Sequence, residues 1–285
     1  MAIGPAPPRL ALVTGASTGI GEACARHLAT LGFHVLAGVR REEDRERLAA
    51  VAGVEPLVLD VTSPADVAAA AARVGDGGLG ALVNNAGIAI TGPIEAVPID
   101  QWRLQLEINV IGTVAVTQAL LPALLRARGR IVNMSALAAR APGPLLGPYA
   151  ASKFALEAVT DVLRREVGGL GVRVISVQPG GVATPIWGKG IARSDGILAG
   201  MAPDVRRRYA HLTEPMRQEG ARLGREGIAP AAVAEVVGKA LTAPRPRTRY
   251  LVGTDARVLG TLAAVLPDRA LDAVMAVLIR GLARR

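Results

Sequence analysis

LALVTGASTGIGEA, residues 10–23, decides how the rest of the chain is read. An apolar run ends in a turn of small residues, and a helix-like segment follows. Two motifs share these letters. Gly15-Ala16-Ser17-Thr18-Gly19 fits G-x-S-x-G, the nucleophile elbow of serine hydrolases, and makes Ser17 a candidate nucleophile. Read on to Gly21, the letters fit G-x-x-x-G-x-G, a glycine-rich loop between a strand and a helix that cradles a dinucleotide. A hydrolase elbow needs an acid and then a histidine further along the chain. Only three His are present. His27 and His34 flank the turn, too close to Ser17 for the acid to fall between, which leaves His211. A dinucleotide loop explains more of the letters. Gly15 permits the tight exit from the strand, Gly19 lets phosphates approach the backbone, and Gly21 lets the helix pack on the sheet. The free N–H groups and positive dipole end of the helix opening at Ile20 then face a pyrophosphate. Ser17 and Thr18 become small polar residues of that loop.

Outward from the loop, strand-like and helix-like patterns alternate, which predicts βαβ units and a parallel sheet. Strands are expected near residues 10–14, 33–39, 55–61, 81–87, 129–136, 172–180 and 249–253. Helices are expected at 20–31, after the Ser63 N-cap with Pro64 behind it, at 99–126 and at 149–170. The expected fold is α/β: a single-domain, Rossmann-type doubly wound parallel sheet of about seven strands with helices on both faces. Residues 1–8 read as a flexible leader and 9–254 as a dinucleotide-binding catalytic domain. Within it, 185–228 reads as a long irregular substrate-loop insertion, rich in Gly, Pro, Arg and Met. Residues 255–285 read as a helical C-terminal extension.

Composition narrows the function classes. Hydrophobic residues make up 51% and charged residues 20%, which argues against disorder. Aromatics are only 2%, so the core must come from Ala, Val, Leu and Ile. The net charge is +9, but the Arg residues are scattered and no basic block exceeds Arg206-Arg207-Arg208. With few aromatics to stack bases, nucleic-acid binding is not expected. The single Cys24 rules out an intramolecular disulfide and any multi-Cys metal site, and no metal is expected. A reduced, cytoplasmic setting fits. No uninterrupted apolar run of about 18 residues is present, so a spanning helix is not expected.

Polar signals fall where the strands end. Arg40 follows the second strand and Asp60 ends the third. Asn84-Asn85-Ala86-Gly87 follows the fourth, Ser135 ends the fifth and Pro179-Gly180 follows the sixth. In a doubly wound sheet these ends converge on one crevice. An NAD site usually places an acid at the end of the second strand, whereas this chain has Val39 followed by Arg40 and Arg41. An arginine fork suits a 2′-phosphate, so NADP(H) is favoured and NAD(H) stays open. The other reading makes Arg40 the solvated start of the mixed-charge turn RREEDRER. Ser17 and Thr18 are neutral, so the glycine loop itself adds no second cation.

Of the three Tyr, only Tyr149 has Lys four residues on, in YAASK. Helical spacing puts phenol and ammonium on one face. A lysine at about 4 Å is worth about 4 kcal/mol at an effective dielectric near 20. That would carry the phenol from about 10 toward neutral pH, where it can exchange a proton with an alcohol or ketone. Ser135 lies 14 residues earlier, at a strand end.

With TGASTGIG, LDV, NNAG, INV containing Asn109, IVNMSA, YAASK and PGGVATP in order, the sequence resembles the short-chain dehydrogenase/reductase family. The likeness spans about residues 10–185. It implies Tyr149 as acid/base, Lys153 as pKa modulator and ribose ligand, and Ser135 as substrate orienter. It implies Asn109 as the anchor of a water-linked proton relay. It also implies a cofactor set of Gly15, Ser17, Thr18, Gly19, Ile20, Gly21, Arg40, Asp60, Val61, Asn85, Ala86, Gly87, Pro179, Gly180, Val182 and Thr184. In that set, Asp60 and Val61 lie by the adenine and Thr184 near the nicotinamide carboxamide.

GPYAASKFALEA is similar to the hydroxysteroid and retinol dehydrogenase branch, so the expected substrate is a hydrophobic secondary alcohol or ketone. Ile186, Trp187, Ile191, Ile197, Leu198 and Met201 either line an apolar pocket or pack on the protein itself. The resemblance implies a homodimer or homotetramer through residues 99–126 and 149–170. The tail carries Leu271, Val274, Val277, Leu278 and Leu282 at helical spacing among scattered Arg. It suits an anionic membrane surface, a cover for the pocket or a partner subunit. A catalytically silent, nucleotide-sensing regulator on the same fold is the rival class. The intact Ser135, Tyr149 and Lys153 count against it.

Overall fold

The computed structural model describes residues 9–282, so the expected leader 1–8 and residues 283–285 lie outside the described part. The strands are β1 (Leu10–Val13), β2 (His34–Val39), β3 (Val54–Val58), β4 (Ala81–Asn84), β5 (Arg130–Met134), β6 (Arg173–Pro179) and β7 (Arg249–Val252). They form one sheet in the order β3-β2-β1-β4-β5-β6-β7, and every pair is parallel. The strand order turns back between β1 and β4, and at such a switch point the carboxyl ends open a crevice.

The helices are α1 (Gly19–Thr30), α2 (Glu42–Ala49), α3 (Pro64–Val74), α4 (Ile99–Leu106), α5 (Gly112–Ala127) and α6 (Gly147–Val167). They continue as α7 (Ile186–Ala199), α8 (Pro203–Glu226), α9 (Pro230–Thr242), α10 (Thr254–Val265) and α11 (Asp268–Leu282). Side chains alternate across each strand. Ala11 and Val13 of β1 join one core with Ala25 and Leu28 of α1, Leu48 of α2, and Val233 and Val237 of α9. Leu12, between them, joins a second core with Val67 of α3 and Val116, Leu120 and Leu124 of α5. A sheet covered on both faces is why its strands read as unbroken apolar runs.

Ser63 caps α3 as its sequence implies, its hydroxyl accepting from the Asp66 N–H at 3.2 Å, with Pro64 in the first turn. The segment expected as one helix over 99–126 is α4 and α5 joined by a π-helical turn, Glu107–Ile111. By length and composition, Ile99–Ala127 is apolar enough to cross a membrane, but half of its most apolar stretch is buried within the fold, against the sheet.

Residues 185–228 depart from expectation: almost all of the segment is helical, in α7 and α8. Its glycines and prolines read as breakers, but they serve close packing and helix starts. Trp187 and Ile191 of α7 lie against Gly220 and Gly224 of α8, and Pro203 stands in the first turn of α8. Beyond β7, α10 covers the sheet edge and α11 leans on α8 without fully burying any residue.

Candidate active site

The glycine loop is built from positions only glycine fills. Gly15 and Gly19 have φ of 63° and 60°. A Cβ on Gly15 would stand 2.8 Å from the Ala86 Cα, and one on Gly21 would stand 2.2 Å from the Gly15 carbonyl oxygen. The loop is held from two sides. Ala16 N–H donates to the Gly38 carbonyl of β2 at 2.9 Å. The Asn85 amide nitrogen donates to the carbonyls of Thr14 and Gly15, each at 3.1 Å. The Thr14 hydroxyl in turn accepts from the N–H groups of Asn85 and Ala86. Asn85 and Ala86 thus brace the loop. The Asn84 amide turns into the interior and donates to Thr117 Oγ1 and Asn133 Oδ1. Thr18 precedes α1 but makes no side-chain cap, so the first N–H groups of α1, from Gly19, Ile20 and Gly21, remain open to an anion. These features fit a nucleotide pyrophosphate.

Around the loop stand the ends of the other strands. Arg40, with its side chain 65% exposed, lies 3.9 Å from the Asp60 carboxylate. Asp60 accepts from the Thr62 N–H and hydroxyl, and the neighbouring Val61 is buried against Gly112. Thr184 sits over Gly19, its Cγ2 3.0 Å from where a Cβ would be. Pro179 closes β6, Gly180 N–H donates to Val252, and Val182 bridges to Ile228.

Ser17 has no histidine beside it. His27 packs on Gly238 of α9, His34 pairs with Glu55 at the opposite end of β2, and His211 lies within α8. The Ser17 backbone carbonyl accepts instead from Arg47.

Next to the loop, β5 and α6 bring three polar side chains together. Ser135 follows β5 and is anchored through its N–H to Val177 at 2.8 Å, while its buried hydroxyl, on the Glu157 side, makes no well-formed hydrogen bond among the described residues. Tyr149 stands in the first turn of α6. Lys153, one turn on, is buried and donates from Nζ to the Met134 carbonyl at 2.8 Å, beside Ser135, with Nζ 5.8 Å from the centre of the Tyr149 ring. The expected drop in the Tyr149 pKa is not what this arrangement gives. Burial pushes the phenol up to about 12, and burial pushes Lys153 down to about 8 against the opposing pull of Glu157. Loss of hydration penalises each charged form, and the carbonyl-bound ammonium does not outweigh it.

Two of the supporting residues escaped the sequence reading. Glu157, one turn beyond Lys153, accepts from Ser176 of β6 and from Arg249 Nε of β7 at 2.9 Å. Burial alone would raise its carboxyl, but the neighbouring polar groups of Gln178, Ser176, Ser135 and Arg249 hold it below the usual range. Gln105 accepts from the Ile90 N–H at 2.7 Å and donates to the Ile88 carbonyl at 2.9 Å. Asn109, in the π turn, clamps the same segment. Its Oδ1 accepts from the Ile88 N–H at 2.9 Å, and its Nδ2 donates to the Ile88 carbonyl and to Ser152 Oγ. The YAASK spacing could reveal Glu157 only to a reader who knew that β6 and β7 lie behind α6.

The apolar residues foreseen for the pocket divide. Ile197 and Met201 line a cavity of about 640 Å³ with Pro98, Leu104 and Val205, but Glu95, Gln101 and Arg193 share its wall and Ser135, Tyr149 and Lys153 do not line it. Trp187 and Ile191 pack on α8, the Trp187 indole N–H donating to the Val182 carbonyl. Ile186 and Leu198 are half-buried and outside that cavity.

Residues 9–193 match the family described as short chain dehydrogenase. The chain is 35% identical to an NADPH-dependent 3-dehydrocapnine reductase of Ornithobacterium rhinotracheale, over 93% of this chain and 95% of that protein. It is 37% identical to retinol dehydrogenase 5 of Mus musculus, over 95% and 89%. Among solved structures, a short chain dehydrogenase from Burkholderia cenocepacia in complex with NADP superposes with a TM-score of 0.73 at 29% identity, over 94% and 98%. One from Burkholderia phymatum in complex with NAD gives 0.75 at 25%, over 90% and 92%. With a glycine loop that fits a pyrophosphate beside buried Ser and Lys and half-buried Tyr side chains, the chain belongs to the short-chain dehydrogenase/reductase family of oxidoreductases, on its retinol and hydroxysteroid dehydrogenase-like branch.

Proposed function

We propose that the protein is an NADP(H)-dependent oxidoreductase that interconverts a hydrophobic secondary alcohol and its ketone. The observation that carries this reading is the meeting of Tyr149, Lys153 and the Ser135 hydroxyl beside the glycine loop. When bound, the nicotinamide gives or takes the hydride. The chain's own residues handle the oxygen and the proton. Ser135 Oγ, buried with no well-formed hydrogen bond among the described residues, holds the substrate oxygen by a hydrogen bond. The neutral phenol of Tyr149 gives its proton to a carbonyl oxygen in reduction, and its phenolate takes one from an alcohol in oxidation. Lys153 stabilises the phenolate of Tyr149 as it forms and offers its remaining N–H donors to the ribose. Asn109 fixes the 88–90 backbone that borders the site. Arg40 supplies charge for a 2′-phosphate, and the NADPH-dependent relative and NADP-bound neighbour support that choice over NAD(H). The likeness to retinol dehydrogenase 5 supports an apolar substrate. Exposed Ile111 on the π turn and Phe154 and Val162 on α6 support a homodimer or homotetramer through these helices.

The test is fluorescence titration with NADPH and NADH, followed by a panel of carbonyls and alcohols with the preferred nucleotide. Tighter binding of NADPH and turnover of apolar ketones are expected. In the same assay Tyr149→Phe should lower turnover by about 10²–10⁴-fold with nucleotide affinity kept. Turnover of small polar carbonyls alone, or an unchanged rate in the Phe variant, would overturn the reading.

A further inference from the structure

The glycine loop contains no cation of its own, but α2 brings one to it. Arg47 lies in the last turn of α2, eight residues beyond the end of β2 at Val39. Its Nη2 donates to the Ser17 carbonyl. The guanidinium is fixed in place by Nη1 on Glu22 of α1 at 2.7 Å and by Nη2 near Asp44 of α2 at 3.2 Å. Glu22 also takes Arg26, and Arg40 lies by Asp60, so three arginines, Arg26, Arg40 and Arg47, stand among three acids, Glu22, Asp44 and Asp60, around this rim. The Ala16–Gly38 hydrogen bond draws the loop against the carboxyl end of β2, and Arg40 follows two residues after Gly38. Arg40 and Arg47 therefore flank the junction of the glycine loop with β2, the place where a Rossmann-type site holds the adenosine ribose and reads its 2′ position. The Arg47 side chain remains 40% exposed there.

We propose that Arg47 is the second cation for the adenosine 2′-phosphate, acting with Arg40, and that α2 supplies by tertiary contact what the glycine loop lacks in sequence. A preformed guanidinium suits a phosphate because its planar donors are already oriented and its side chain is already held. The inference rests on the NADP(H) reading above.

The test uses the full chain and two cofactor fragments: adenosine 2′,5′-bisphosphate and 5′-AMP, titrated by calorimetry. Wild type should bind the bisphosphate more tightly. Arg47→Gln should lose about tenfold in bisphosphate affinity, the equivalent of one charge-assisted hydrogen bond, and keep its 5′-AMP affinity. Arg47→Lys should retain most of the preference and shows whether charge or fold is responsible. Equal losses for both fragments in Arg47→Gln would make Arg47 a splint of the loop and overturn the proposal. So would an unchanged bisphosphate preference in that variant, and in that case the NADP(H) reading stands. A wild type with no preference between the fragments would overturn the NADP(H) reading and this proposal together.

Discussion

Tyr149 and Lys153 share one helical face, with the ammonium 5.8 Å from the ring centre, yet their acidities move apart. Burial raises the phenol to about 12 and lowers the ammonium to about 8. At neutral pH the pair is a neutral acid beside a cation, the state that can protonate a carbonyl oxygen. The lysine shift carries a sign that denaturation can read. Its folded pKa lies below its unfolded value of 10.5, so between about 8 and 10.5 the unfolded chain holds a proton that the folded protein has released. Unfolding free energy contributed by this group therefore rises with pH across that window and is least below it. In Lys153→Met the contribution disappears. The stability difference, wild type minus variant, should climb from pH 8 toward pH 10.5 in urea denaturation. A flat difference would mean that Lys153 does not feel its burial as a charge.

At the scale of elements, the π turn between α4 and α5 does what a regular helix would not. The extra residue within the turn shifts the helix face, and Asn109 there faces the backbone of Ile88 while Gln105, four residues back, holds Ile90. Asn109→Ala should leave the Ile88 N–H without its partner, while Gln105 still donates to the Ile88 carbonyl, at a cost of about 1–3 kcal/mol in urea denaturation, and should also slow turnover. A loss of turnover with unchanged stability would place Asn109 in the chemistry and not in the clamp. Wherever function needed only local geometry, the sequence was readable: strands β1, β4, β5 and β6, the Ser63 cap and the Tyr149–Lys153 spacing all declare themselves within a few residues. The π turn did not, because the letters around Asn109 suit a regular helix equally well and its partner Ile88 lies 21 residues away in sequence. Likewise α7 and α8 were hidden by glycines and prolines whose purpose shows only once Trp187 lies on Gly220 and Gly224. Arg47 was read as one charge in a surface turn for the same reason: its partner, Ser17, is 30 residues away in sequence.

Across the whole molecule, the site depends on the last part of the chain. Asp255, in the first turn of α10, reaches back across the sheet edge and accepts from the Gly181 N–H at 2.8 Å. This holds the loop after β6, which continues through Val182 to Thr184 above the glycine loop. The carboxylate also sets what the loop can contain, since a Cβ on Gly180 would stand 2.1 Å from Asp255 Oδ2. Gly180→Ala should therefore weaken both stability and nucleotide affinity by forcing the carboxylate aside, and Asp255→Ala should do so by releasing Gly181. The two losses share one cause, so the double variant should be less impaired than their sum. A coupling of about 0.5–3 kcal/mol is expected in a double-mutant cycle on unfolding free energy. Losses that simply add would show that something other than Asp255 excludes a side chain at Gly180.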